Sequence, residues 1–207
     1  MNAMETHFLL RRLHSLTGIF PIGVFLLEHF YTNAKAQYGA EAFNQAERDL
    51  WAIPYLWVAE ISLIALPLLF HGIYGFIITY EGDTFRPAPG YQVRYRSVAY
   101  LLQRVTGVVV FVFIGYHVWH TRLQWALGGP TPDFDYMKAY FAPGGIKVLY
   151  VVGILCACYH FANGLFNVAY KWGLTVRART QERLAALSLV VFLAMSAVGI
   201  HILFAFR

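Results

Sequence analysis

Five runs of mainly apolar residues, each long enough to cross a bilayer as a helix, dominate this chain: roughly 13–32, 55–80, 98–121, 147–170 and 184–206. At about 1.5 Å of rise per residue, some 20 residues cover the hydrocarbon core. Lipid cannot satisfy backbone polar groups, so each span must close its hydrogen bonds within itself. The expectation is an all-α integral membrane protein with five transmembrane helices, residues 1–207 forming a single domain. Only 13% of residues are charged, against about 25% in soluble domains. The first run follows "RRLH" but is longer than a signal-peptide core and has no small-residue cleavage site, so it reads as a helix.

The net charge of +5 does not point to nucleic acid, because the basic residues sit in short loops between spans. Arg11, Arg12, Arg86, Arg94, Arg96, Lys171, Arg177, Arg179 and Arg183 fall on one side; Lys35, Arg48, Arg122, Lys138, Lys147 and Arg207 fall on the other. That bias places the N-terminus in the cytoplasm. Cys156 and Cys158 lie inside the fourth run and read as small core residues. Two thiols do not hold an iron–sulfur cluster, which takes about four ligands.

Four histidines lie well inside the first four spans: His29, His71, His117 and His160. One ionisable residue in a span already suggests function; four on successive helices need a common explanation. Depth supplies it. His29 and His117 sit roughly 9–10 Å to the outer side of their span centres, His71 and His160 about 2–5 Å to the inner side. The four sort into an outer pair, His29 with His117, and an inner pair, His71 with His160. The halves also repeat. "TG" precedes both His29 and His117, and "LLFHGIYGF" and "CYHFANG" each carry H-x-x-x-G, with His71 and Gly75 lying 89 positions before His160 and Gly164.

Two imidazoles at one level on opposite helices are what a flat macrocycle needs above and below its iron. Gly75 and Gly164 lie on nearly the same helix face as their histidines, which would make room for a porphyrin edge; close helix packing is the other reading. Two histidine ligands leave no vacant position for oxygen, so the implied role is electron transfer by two stacked b haems inside helices 1–4. A histidine proton relay is the rival, but it needs neither matched depths nor the repeated glycine.

Other polar residues fit around these pairs. Arg104, Arg11 and Arg12 stand at the inner end, where guanidinium groups could hold anionic haem propionates or snorkel to lipid headgroups. His14, Ser15 and Thr17 could serve the same haem, although capping also explains Ser15. Glu28 and Glu60 are acids toward the outer side. With Tyr31 and His120 they are candidates for handling quinone and its protons; paired or snorkelling roles are the plainer readings. Pro67 frees the carbonyl of Leu63 and should kink the second helix. His7 and His201 carry no usable pattern.

With these residues assembled, the chain resembles the cytochrome b membrane-anchor subunits of succinate:quinone oxidoreductases, the five-helix, two-haem, single-chain type. "RRLHSLTGIFPIG", "LQRVTG", "HVWHTR", "HFANGL" and "WGLTV" carry the resemblance, which covers nearly the whole chain. It implies that His29 and His117 bind the distal haem and His71 and His160 the proximal one. It also implies a bacterial cytoplasmic membrane, an iron–sulfur subunit and a flavoprotein subunit with FAD on the cytoplasmic face, and quinone, in this type usually menaquinone, as acceptor. The rivals are a two-haem anchor of a formate- or hydrogen-oxidising enzyme and a haem-free proton-relaying membrane protein.

Overall fold

The structure is a computed structural model describing residues 3–81 and 91–207, with side chains described for 5–81 and 98–207. The linker "GDTFRPAPG" with Arg86, and the side chains of Arg94 and Arg96, lie outside the described residues. Among the described residues there are helices and turns and no strand.

Five stretches are long and apolar enough to span a membrane: Glu5–Tyr38, Leu56–Glu81, Val98–Ala126, Gly144–Lys171 and Ala178–Leu203. The first is built from α1 (Ala3–Ile19) and α2 (Ile22–Asn33). They break at Phe20–Pro21 because Pro21 has no N–H to continue the ladder. After α3 (Ala40–Trp51), a short helix, α4 (Leu56–Ala59), runs through a π-helical turn, Glu60–Ala65, into α5 (Leu66–Glu81). The third span is α6 (Tyr91–Val118), a second π-helical turn, Trp119–Leu123, and α7 (Gln124–Ala126). Short α8 (Phe134–Phe141) precedes the fourth and fifth spans, α9 (Gly144–Lys171) and α10 (Ala178–Leu203).

The closely packed helix pairs are α1 with α5, α5 with α6, α6 with α9, and α9 with α1. They form a closed ring of four, in which α5 faces α9 across one diagonal. Helix α10 packs outside this ring against α9 and α2. Ser188 of α10 donates to the Ala162 carbonyl at 2.7 Å, the kind of polar contact that holds helices together where lipid offers no hydrophobic drive. The opposite face of α10 exposes Leu187, Leu189, Val190 and Leu193, as a lipid-facing surface should.

Two short helices that the apolar runs do not announce, α3 and α8, cover the end of the bundle away from the N-terminus. Phe43, Phe134, Met137, Phe141 and Tyr150 join Ile202, Leu203 and Phe206 there in a buried cluster. Side chains partner two N–H groups in the first turn of α8: Asp133 accepts from the Tyr136 N–H at 2.9 Å and Asn44 of α3 from that of Phe134 at 2.9 Å.

Candidate functional site

His71 of α5 and His160 of α9 meet across the diagonal of the ring, centroids 6.1 Å apart and planes at 89°. Their surroundings repeat at the 89-residue offset. The Nδ1 of His71 lies 2.8 Å from the His14 carbonyl and that of His160 lies 3.0 Å from the Gln103 carbonyl. A carbonyl only accepts, so Nδ1 carries the proton and Nε2 keeps its lone pair, which on His160 lies 3.4 Å from the Gln103 amide nitrogen. Thr17 and Thr106 place their hydroxyls 3.5 Å from the same nitrogens. Each ring brings its Cε1 close to a glycine on the neighbouring helix. A Cβ on Gly18 would stand 2.6 Å from His71 Cε1, and one on Gly107 would stand 2.9 Å from His160 Cε1.

The two "TG" pairs are therefore seats for His71 and His160. Reading along the chain, they serve as repeat markers ahead of His29 and His117, and of the four residues Thr17 alone is singled out for the inner haem. The 89-residue offset that links 17–18 to 106–107 and His71 to His160 was the signal that could have found them. Gly75 and Gly164 face His14 and Gln103: a Gly75 Cβ would lie 3.2 Å from the His14 ring, and a Gly164 Cβ 3.8 Å from the Gln103 amide. His14 stacks on His71 at 4.1 Å, with its Nδ1 buried and unpartnered. Gln103 donates to the His160 carbonyl at 3.1 Å and accepts from Asn163 at 2.7 Å.

The second pair is His29 of α2 and His117 of α6, centroids 5.7 Å apart and planes at 78°. Here the Nδ1 contacts are side chains: the Asn33 amide at 3.3 Å from His29 and the Tyr150 hydroxyl at 3.1 Å from His117. Metal–nitrogen bonds of about 2 Å, with each nitrogen about 1.1 Å from its ring centre, would set two axial imidazoles about 6 Å apart. Both pairs fit that spacing. Among the described residues no three His, Cys, Asp or Glu side chains converge as a metal site.

A family model, the succinate dehydrogenase/fumarate reductase transmembrane subunit, matches residues 88–200. The succinate dehydrogenase cytochrome b558 subunit of Bacillus subtilis (strain 168) is 39% identical over 199 residues, covering 96% of this chain and 96% of that protein. The chain belongs to the succinate dehydrogenase/fumarate reductase transmembrane-subunit family. It is a multi-pass membrane protein of that family, with the five spans expected.

At the N-terminal end of this family member, cations gather. Arg11 pairs with Glu81 at 3.0 Å, and Lys171 lies within electrostatic reach of Arg11 and Arg104. Arg104 sits over the Tyr100 ring at 4.1 Å and donates to its hydroxyl. Arg12 lies between the Phe8 and Trp172 rings at 5.0 and 5.1 Å. Ser15 accepts from the Trp172 N–H at 3.0 Å and donates to the Arg12 carbonyl.

The four quinone candidates are not brought together. Glu28 accepts from Thr32 at 2.5 Å. Tyr31 is 67% exposed and pairs with Lys35. His120 bonds the Tyr116 carbonyl at 2.9 Å. Glu60 alone lines a cleft of about 320 Å³, with Trp51, Tyr55, Trp57, Arg122 and Trp125. Arg122 grips both Glu60 oxygens at 2.9 and 2.7 Å, and its guanidinium lies 4.9 Å from the Trp51 and Trp125 rings. Glu60 opens one π turn and Arg122 sits in the other; such turns recur at functional sites. Glu47, on α3, is pushed up by burial, pulled down by the Trp51 N–H at 3.2 Å and pushed up by Glu28. It anchors the Trp51 side of the cleft.

Proposed function

We propose that this chain is the cytochrome b anchor of a succinate:quinone oxidoreductase, binding two b haems and passing succinate electrons to quinone, with menaquinone the expected acceptor. The observation that carries this reading is the two facing imidazole pairs, the inner one with both Nδ1 atoms tied to backbone carbonyls. His71 and His160 would hold the inner haem, His29 and His117 the outer one. A b haem held this way supplies one-electron transfer without an open position for oxygen.

Backbone carbonyls of His14 and Gln103 keep His71 and His160 in one tautomer and orientation. The Arg11, Arg104 and Lys171 cluster offers cations for inner propionates. The relative's name and the family description support a place in a succinate dehydrogenase complex; its iron–sulfur and flavoprotein partners would dock on a cytoplasmic face at the N-terminal end. Quinone would bind in the far-end cleft. The tryptophans offer faces for its ring, Arg122 a donor for a carbonyl, and Glu60 an acid–base group for the two protons that accompany two electrons. On that outer side the membrane potential bears on the reaction, at about 2.3 kcal/mol per charge per 100 mV.

The test is the reduced-minus-oxidised visible spectrum of the purified complex with each ligand replaced. His71→Ala and His160→Ala should delete one b haem, His29→Ala and His117→Ala the other. Loss of the same haem from His71→Ala and His117→Ala would overturn the pairing. A preparation without b-type bands would overturn the haem reading.

A further inference from the structure

The ligand pairs differ in what holds Nδ1. His71 and His160 each face a backbone carbonyl, at 2.8 and 3.0 Å. His117 faces a phenol, Tyr150, at 3.1 Å. Tyr150 is 4% exposed, and its ring is held on three sides: Phe141 edge-on at 4.8 Å, Phe113 edge-on at 5.1 Å and Tyr140 at 5.9 Å. Phe113 also lies nearly parallel to the His117 ring at 6.0 Å. Its place depends on Gly153, where a Cβ would stand 2.5 Å from the Phe113 ring. With the ring so clamped, the phenol oxygen can reach the imidazole in one geometry.

We propose that Tyr150 is the positioning residue of the outer haem: its phenol oxygen accepts the His117 Nδ1–H, doing for this ligand what a backbone carbonyl does for His71 and His160. This rests on His117 being an iron ligand. An Nε2 that binds iron cannot carry a proton, so Nδ1 must, and the Tyr150 oxygen is the acceptor facing it. The Tyr150 O–H then turns away from the imidazole; the Tyr140 hydroxyl, buried and without an aligned hydrogen bond of its own, stands beside it. Such a bond fixes the tautomer and ring rotation and raises the basicity of the ligand, which favours ferric iron. A phenol oxygen accepts less strongly than a peptide carbonyl, so the two haems receive different ligand strengths from one repeated scaffold. The side chain at 150 can therefore set the outer haem without disturbing the inner one.

The experiment is redox titration and low-temperature electron paramagnetic resonance of the purified complex carrying Tyr150→Phe, with Phe141→Leu as a packing control that leaves the hydroxyl in place. In Tyr150→Phe both haems should remain, the outer midpoint potential should rise, one of the two low-spin ferric signals should move, and the inner haem should be unchanged. Phe141→Leu should leave both potentials where they were. Unchanged potentials in Tyr150→Phe, a parallel shift of both haems, or an equal shift in Phe141→Leu would each overturn the proposal. If Tyr150→Phe is isolated without the outer haem, proton NMR of the reduced wild-type complex decides: a His117 Nδ1–H protected from exchange supports the bond, and a freely exchanging one overturns it. A wild-type complex lacking two bis-histidine signals would instead defeat the haem reading on which this rests.

Discussion

At the scale of single residues, one tight constraint lies between Gly107 and His160. A methyl group there would stand 2.9 Å from Cε1, closer than real Cβ contacts, and the ring cannot retreat without losing the Gln103 carbonyl at 3.0 Å. Gly107→Ala should cost about 1–3 kcal/mol through overpacking and, on the proposed assignment, empty the inner haem site while sparing the outer one. Haem-to-protein ratio and the b-band spectrum of the purified variant check this; a full complement of two haems would show that the seat is not needed. The histidines and H-x-x-x-G were visible in the chain, because apolar surroundings make a buried imidazole conspicuous. The roles of Gly18, Thr106 and Gly107 were not, because a glycine's neighbour across an interface leaves no mark on its own helix.

At the scale of elements, the apolar runs locate all five spans, with ends at most eight residues off, since length and hydropathy are properties of a segment alone. The π turns were not legible. Pro67, expected to kink the second helix, is preceded by the Glu60–Ala65 π turn, whereas the Trp119–Leu123 turn has no proline of its own. Helix α8 was not legible either, since it is too short for the span criterion. It depends on its cap: Asp133→Ala removes the acceptor for the Tyr136 N–H and should lower stability by about 1 kcal/mol. The melting temperature of the detergent-solubilised complex would measure this, and an unchanged value would show that Asn44 alone suffices.

At the scale of the whole molecule, the family assignment and the geometry converge on a device with two ends. Cations collect where the chain begins, and an aromatic cleft with a forked ion pair opens where it ends. If that cleft takes quinone, the Glu60→Gln/Arg122→Gln double variant, which leaves no charge unpaired, should raise the KM for quinone about tenfold, the worth of one charge-assisted hydrogen bond. Succinate oxidation with a soluble dye as acceptor should be unaffected. Quinone kinetics indistinguishable from wild type would move the site elsewhere. Sequence alone settled how many helices cross the membrane, that the chain is a membrane subunit of this type, and which histidines are candidates for each level, because helical rise converts residue number into depth. Only the tertiary structure decided what surrounds each ring: the Thr–Gly seats, the Tyr150 phenol and the Glu60–Arg122 cleft. Rotation of a helix about its axis and the choice of its neighbours are set by side-chain packing between segments far apart in the chain, and no spacing within one segment encodes them.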